Sequence, residues 1–127
     1  MRKTTLAFLG IVAASLAACK YMCPPCGVSQ MNACQSTNPP IVCIDPDSLH
    51  PSQDPVYVHS GQTAHFYVTS GRGSLTIICP PGTPVDNVGH EGSHAWLHAL
   101  PVKEAKHYKY TINIDGRIYD PDMVIEP

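Results

Sequence analysis

The chain has 127 residues, 43% of them apolar, which allows one small domain. Its 8 basic and 10 acidic residues give a formal net charge of -2, so it lacks the basic surface that sequence-independent nucleic-acid binding requires. Thirteen prolines disfavour a helical bundle, because each one removes a backbone donor and breaks a helix interior. Six cysteines are typical of a protein from an oxidising compartment.

The first 18 residues have the pattern of a secretory signal peptide. Two basic residues precede an apolar run, 6–14, which is shorter than the roughly 20 residues of a membrane-spanning helix. The run ends in Leu16-Ala17-Ala18-Cys19, which resembles the lipobox of bacterial lipoproteins. The resemblance implies that residues 1–18 are removed and that acyl chains such as palmitate on Cys19 anchor the chain to a membrane. In lipoproteins that this sequence resembles, Asp directly after the lipidated Cys signals retention in the inner membrane. Residue 20 is Lys. The resemblance therefore implies an outer-membrane lipoprotein whose domain faces the periplasm or the cell surface.

A segment rich in cysteine and proline, residues 19–40, follows the signal. It has few large aliphatic residues and no periodic apolar pattern, which predicts a tether. Cys23-Pro24-Pro25-Cys26 has the spacing of thiol oxidoreductases and of half a zinc site, but no strand precedes it and no amphipathic helix follows it. We therefore expect Cys23, Cys26 and Cys34 to form structural disulfides. With Cys19 lipidated, an odd number of cysteines remains, so one thiol is left over or pairs with another chain.

The remainder, residues 41–127, is predicted to be an all-β domain, a small antiparallel Greek-key sandwich of about six strands. Alternation over 107–115 places Tyr108, Tyr110, Ile112 and Ile114 on one face. Asp115-Gly116 predicts a hairpin turn. A disulfide between Cys43 and Cys79 is expected to join two strands. Short apolar runs between turn residues give the other expected strands, at 41–44, 55–59, 63–69, 75–78 and 123–126.

Two groups of residues resemble cupredoxin-like domains. They are Gly61-x-Thr63-x-x-Phe66 after a Val-x-Val, and Tyr108-x-Tyr110-x-Ile112 followed by Asp120-Pro121-Asp122-Met123-Val124-Ile125. The resemblance covers 41–126 and implies a cupredoxin-like or immunoglobulin-like sandwich. It does not extend to a blue-copper site, which takes two His, a Cys and a weak axial Met. Cys79 is followed by two prolines, with no histidine before His90, so electron transfer is not expected.

The segment His90-Glu91-Gly92-Ser93-His94 matches the H-E-x-x-H pattern of zinc peptidases, and His98 follows four residues later. On a helix the three histidines would share one face and could bind zinc, with Glu91 as general base. Glycine and serine are poor helix formers and the segment lies between strands, so we interpret the match as fortuitous. The segment is then a short helix or loop in which Trp96 closes the end of the core.

The sequence therefore predicts a non-enzymatic lipoprotein without a resident cofactor, which acts in the cell envelope. Its sandwich would bind an envelope protein or serve as a structural module, and no nucleic-acid partner is expected. One alternative is a periplasmic protein that binds zinc or copper through His90, His94 and His98, with Cys23 or Cys26 as a further ligand. Another is a thiol–disulfide protein that uses Cys23 and Cys26.

Overall fold

The computed structural model describes residues 33–127 of the chain. The predicted signal peptide 1–18, the lipidation site Cys19, and Cys23 and Cys26 lie outside this range. Among the described residues, no helix is long and apolar enough to cross a membrane. The described part is built from ten strands, which confirms the all-β prediction: β1 Ile41–Ile44, β2 Val56–His59, β3 Thr63–Val68, β4 Leu75–Ile78, β5 Val85–Glu91, β6 His94–Ala99, β7 Lys106–Lys109, β8 Thr111–Ile114, β9 Arg117–Tyr119 and β10 Asp122–Glu126.

The strands form one four-stranded and two three-stranded sheets. Their orders are β1-β3-β6-β5, β2-β10-β7 and β4-β8-β9. Most neighbours are antiparallel, as predicted, but β1 runs parallel to β3 and β2 runs parallel to β10. One buried cluster contains apolar side chains from all three sheets, so the core lies between the four-stranded sheet and the other two. This arrangement is a small β-sandwich.

The two central strands of the four-stranded sheet, β3 and β6, alternate strictly between buried and partly exposed residues. Strand side chains point to opposite faces in turn, so one apolar set enters the core and the other set faces outward. Full burial of a large apolar side chain such as Phe66 or Leu97 contributes about 1.5–3 kcal/mol. The inward set consists of Ala64, Phe66, Val68, Ala95, Leu97 and Ala99.

The strand predicted over 107–115 is two strands in the structure, β7 and β8, with a break at Tyr110. The break lets the chain pair with β10 in one sheet and then with β4 and β9 in the other. The predicted face is retained, because Tyr110, Ile112 and Ile114 are buried and Tyr108 packs against the core. The predicted turn at Asp115-Gly116 is confirmed. Both residues have positive φ, 52° and 90°, as a two-residue type I′ hairpin loop requires.

The disulfide in the described part of the chain joins Cys34 to Cys43, with Cα atoms 5.3 Å apart. The predicted pair of Cys43 with Cys79 is therefore wrong, and Cys79 has no disulfide partner among residues 33–127. Strand alternation gives the reason. Val42 and Ile44 enter the core, so Cys43 between them points to the outer face, where the segment before β1 lies. Cys79 follows β4, which belongs to a different sheet.

The segment before β1 is packed onto the domain. Cys34 is buried, and the side-chain amide of Gln53 donates hydrogen bonds of 3.1, 3.1 and 3.0 Å to the carbonyls of Cys34, Ser36 and Ile41. Residues 33–40 were predicted to belong to the tether. The structure instead holds them against the sandwich, through the disulfide and Gln53, so the folded domain begins before residue 41.

Candidate functional site

The H-E-x-x-H segment forms a β-hairpin. Strand β5 ends at Glu91, strand β6 begins at His94, and Gly92 and Ser93 form the two-residue loop between them. Gly92 has φ of +58°, which a residue without a Cβ adopts without strain and which two-residue hairpin loops need. Glu91 and His94 are consequently direct partners across the hairpin. The helix on which a zinc-peptidase motif depends does not form.

The three histidines predicted as metal ligands do not converge. His90 lies opposite the buried Ala95, whereas its neighbour in sequence, Glu91, lies opposite His94, so His90 and His94 belong to different faces of the sheet. His94 and His98 share a face, but they lie four residues apart on one strand, which separates their Cα atoms by about 13 Å. No group of three or more His, Cys, Asp or Glu residues within 33–127 is placed to hold a metal ion.

Four aromatic rings on the outer face of β3 and β6 are linked by ring contacts, and we call them the aromatic–histidine cluster: His65, Tyr67, His94 and Trp96. Tyr67 pairs across the strands with His94, and His65 pairs with Trp96. All four side chains are partly buried, since they stand on the sheet with one side open to solvent. The strict alternation of the two strands produces the cluster, because the residues between these four enter the core.

His94 is the centre of this cluster. Its ring stacks on Tyr67, with centroids 4.4 Å apart and planes at 5°, and contacts Trp96 at 5.1 Å. Its centroid is 5.3 Å from that of His65, and His65 Nδ1 lies 3.1 Å from His94 Nε2, a hydrogen bond between the rings. One nitrogen must donate and the other accept, so at least one imidazole in this hydrogen bond is neutral.

Burial keeps the cluster uncharged near neutral pH. It lowers the pKa of His65 and, as the largest cause, the pKa of His94. The charge of His65 lowers the pKa of His94 further, and the charge of Glu91 acts in the opposite direction. Burial also raises the pKa of Tyr67, so its phenol stays protonated. Further along β6, His98 Nδ1 lies 2.6 Å from the Asp86 carboxylate, which places a polar pair beside the rings.

The indole of Trp96 rests against the backbone of β5 at Gly89. A Cβ at position 89 would lie 2.6 Å from Trp96 Cζ2, closer than such atoms approach in proteins. The indole therefore occupies the space that a side chain would fill, and this seat holds it on the outer face. The predicted role of Trp96 at the end of the core is wrong, because Ala95 and Leu97 take the inward positions of this strand.

Two surface cavities lie elsewhere on the domain. One of about 340 Å³ borders the disulfide, and the residues that line it include His50 and Ser52. The other, of about 420 Å³, is lined by Cys79 and by apolar residues such as Ile78 and Val88. Burial raises the pKa of the Cys79 thiol to about 11, so it is protonated at neutral pH and is a poor nucleophile.

His65 and Tyr67 were missing from the predicted site residues. Their signal was present, because 63–68 alternates apolar with polar or aromatic residues and was predicted as a strand. The same period of two runs through 94–99, but the H-E-x-x-H pattern that overlaps this segment has helical spacing and favours the other interpretation. Sequence does not show which strands are neighbours, and the cluster exists only because β3 lies beside β6.

No protein-family model matches the chain, and no curated protein is similar to it.

Proposed function

We propose that this chain is a lipid-anchored lipoprotein of the bacterial envelope whose sandwich binds a protein partner through the aromatic–histidine cluster. Cys19 would carry the anchor in the outer membrane, with the domain in the periplasm or at the cell surface. The observation that carries the proposal is an open sheet face with four rings, His65, Tyr67, His94 and Trp96, none of which the described chain covers completely.

The composition of this face supports protein binding. Trp and Tyr are over-represented among the residues that dominate interface energetics, because they bury a large area and lose little side-chain entropy. The rings are also held in place before any partner binds. Tyr67 stacks on His94, and the indole of Trp96 sits against Gly89. A preformed surface avoids part of the ordering cost that association otherwise carries.

The charges around the rings indicate what the partner offers. The cluster is uncharged near neutral pH, and two carboxylates, Asp86 and Glu91, are exposed on the neighbouring strand β5. A partner with an apolar or aromatic centre and basic residues on one side would match this distribution. The exposed carboxylates would then set the orientation of the partner and the salt dependence of its association rate.

A matched pair of variants tests the binding surface. Trp96→Ala removes the largest ring of the cluster, and Tyr57→Ala removes an aromatic ring, 50% exposed, from β2 in another sheet. We expect cross-linking in solubilised envelopes to capture one defined partner with the wild-type chain and with Tyr57→Ala, but not with Trp96→Ala. Equal capture by all three chains would contradict the proposed surface.

The anchor is tested separately, at Cys19. The wild-type chain should fractionate with outer membranes, and mass spectrometry should find acyl groups on an amino-terminal Cys19. Cys19→Ser should leave the signal uncleaved or the chain without acyl groups. A wild-type chain that lacks lipid and is recovered in the soluble fraction would refute the lipoprotein assignment.

A further inference from the structure

His65 and His94 bring one ring nitrogen each close together on the outer face of the sheet, where the two atoms face each other. The two atoms, His65 Nδ1 and His94 Nε2, are 3.1 Å apart. Two imidazole nitrogens bound to one tetrahedral ion at 2.0–2.1 Å are separated by about 3.3 Å. The separation in this chain is thus within a few tenths of an ångström of the separation that a shared ion requires, and small ring rotations would close the difference.

We propose that His65 and His94 together bind one divalent transition-metal ion, a site that takes Cu²⁺ most tightly and Zn²⁺ less tightly. Imidazole nitrogen suits both ions, and Cu²⁺ ranks above Zn²⁺ at sites of this kind. Each neutral ring would bind the ion through the nitrogen that now takes part in the hydrogen bond, with its proton on the other nitrogen. The proposal does not rest on the proposed protein partner.

The surroundings prepare the two rings for this role. Tyr67 stacks on His94 at 4.4 Å and Trp96 contacts it at 5.1 Å. These contacts hold the ring of His94 in one orientation, which lowers the cost of arranging the ligands.

The site would be an open one. The described chain places no third His, Cys, Asp or Glu with this pair in a ligand group, so water or an exogenous ligand takes the other positions. Glu91 is the direct cross-strand partner of His94, and its negative charge favours a cation at this ring. An open site with two protein ligands binds more weakly than a closed structural site, and it can exchange its ion with other carriers.

Four histidine variants of the full chain provide the test. The untagged chain is solubilised in mild detergent and titrated with Cu²⁺ against a competing chelator, while electron paramagnetic resonance counts the bound imidazole nitrogens. We expect one Cu²⁺ with two imidazole nitrogens. His65→Ala and His94→Ala should each weaken binding by about 100-fold or more, since even loss of a residue behind a ligand costs 10–100-fold. His90→Ala and His98→Ala, which keep every cysteine and the His65–His94 pair, should bind as the wild type does.

Unchanged binding in His65→Ala and His94→Ala would overturn the site, and so would equal losses in His90→Ala and His98→Ala. A second measurement needs no substitution, so it holds even if a variant misfolds. In wild-type chain, substoichiometric Cu²⁺ should first broaden the amide resonances around positions 65 and 94. First broadening around His59 or His107 would refute the assignment. Trp96→Ala distinguishes this proposal from the other, because it should lose the protein partner and still bind one Cu²⁺ through two imidazole nitrogens, with an affinity lowered by the loss of the ring contact to His94.

Discussion

Gly89→Ala tests whether the indole of Trp96 is held where the structure places it. The added Cβ would lie 2.6 Å from Trp96 Cζ2, 2.7 Å from Cε2 and 2.9 Å from Nε1. Ordinary contacts of such atoms begin at 3.4 Å, so the indole must retreat by nearly an ångström. Gly89 does not have positive φ, so its backbone accepts alanine without strain. The whole unfavourable effect therefore comes from the displaced ring.

Two opposing terms set the size of the effect. Forcing an extra carbon into a packed contact costs about 1–3 kcal/mol. Alanine in place of glycine restricts the unfolded chain, which stabilises the folded state by about 0.4–1 kcal/mol. The indole has an open side and can tilt toward solvent, so the cost lies in the lower part of its range. We expect Gly89→Ala to lower the free energy of unfolding by about 1 kcal/mol.

The assay is urea unfolding, followed by circular dichroism in every variant. Trp96 is the only tryptophan of the chain, so a red-shifted emission in Gly89→Ala reports directly that the indole has moved into solvent. The same substitution is then made in the Trp96→Ala background. There the clash is absent, and Gly89→Ala should be neutral or stabilising by up to about 1 kcal/mol. An equal destabilisation in both backgrounds, with unchanged emission, would refute the reasoning.

Three further predictions concern stability. Acidification from pH 7 to pH 5 should lower the free energy of unfolding in urea titrations. Burial lowers the pKa of His65 and His94 below 6.5 in the folded chain, so the unfolded chain takes up protons first as the pH falls. If the variant with both His65→Gln and His94→Gln loses as much unfolding free energy between pH 7 and pH 5 as the wild type does, this explanation is contradicted. Cys34→Ser should lower the free energy of unfolding by about 2.6 kcal/mol in denaturant titrations, as expected for a loop closed over 9 residues to Cys43. A wild-type chain whose stability does not change with reductant would contradict this. Tyr110→Phe should raise the free energy of unfolding by about 1 kcal/mol, because the buried Tyr110 hydroxyl has no hydrogen-bond partner within the described part of the chain. A melting temperature below that of the wild type would contradict this.

The strands that sequence predicted well are those with a short-range signal. Val-x-Val and alternating segments gave β2, β3 and the buried face of β8 because burial on one side of a sheet imposes a period of two. The turn at Asp115-Gly116 was predictable because few residues tolerate two successive positive φ values. These features depend on neighbours a few residues away, and so each is visible along the chain.

The disulfide and the cluster depend instead on which strands lie side by side. Cys43 and Cys79 both border apolar runs, but β1 and β4 belong to different sheets, and the cysteine that reaches Cys43 is Cys34, before β1. Nor does sequence show that a crossover connection would make β1 and β3 parallel neighbours. Sheet order is a property of the folded topology, so patterns within single strands cannot specify it.

The register of β3 against β6 explains why His94 meets His65 and Tyr67, and why the helical interpretation of its segment fails. Gly92 and Ser93 form the loop of a hairpin in the H-E-x-x-H segment. Glu91 and His94 therefore face each other across two strands and do not lie on successive turns of a helix. A slip of β6 by one residue would bury His94 in place of Ala95, and the core would not tolerate it. The alternation that fills the core thus also places His65 Nδ1 at 3.1 Å from His94 Nε2. A metal site at this position would need no ligand motif in the sequence, because the packing of the other face already sets its geometry.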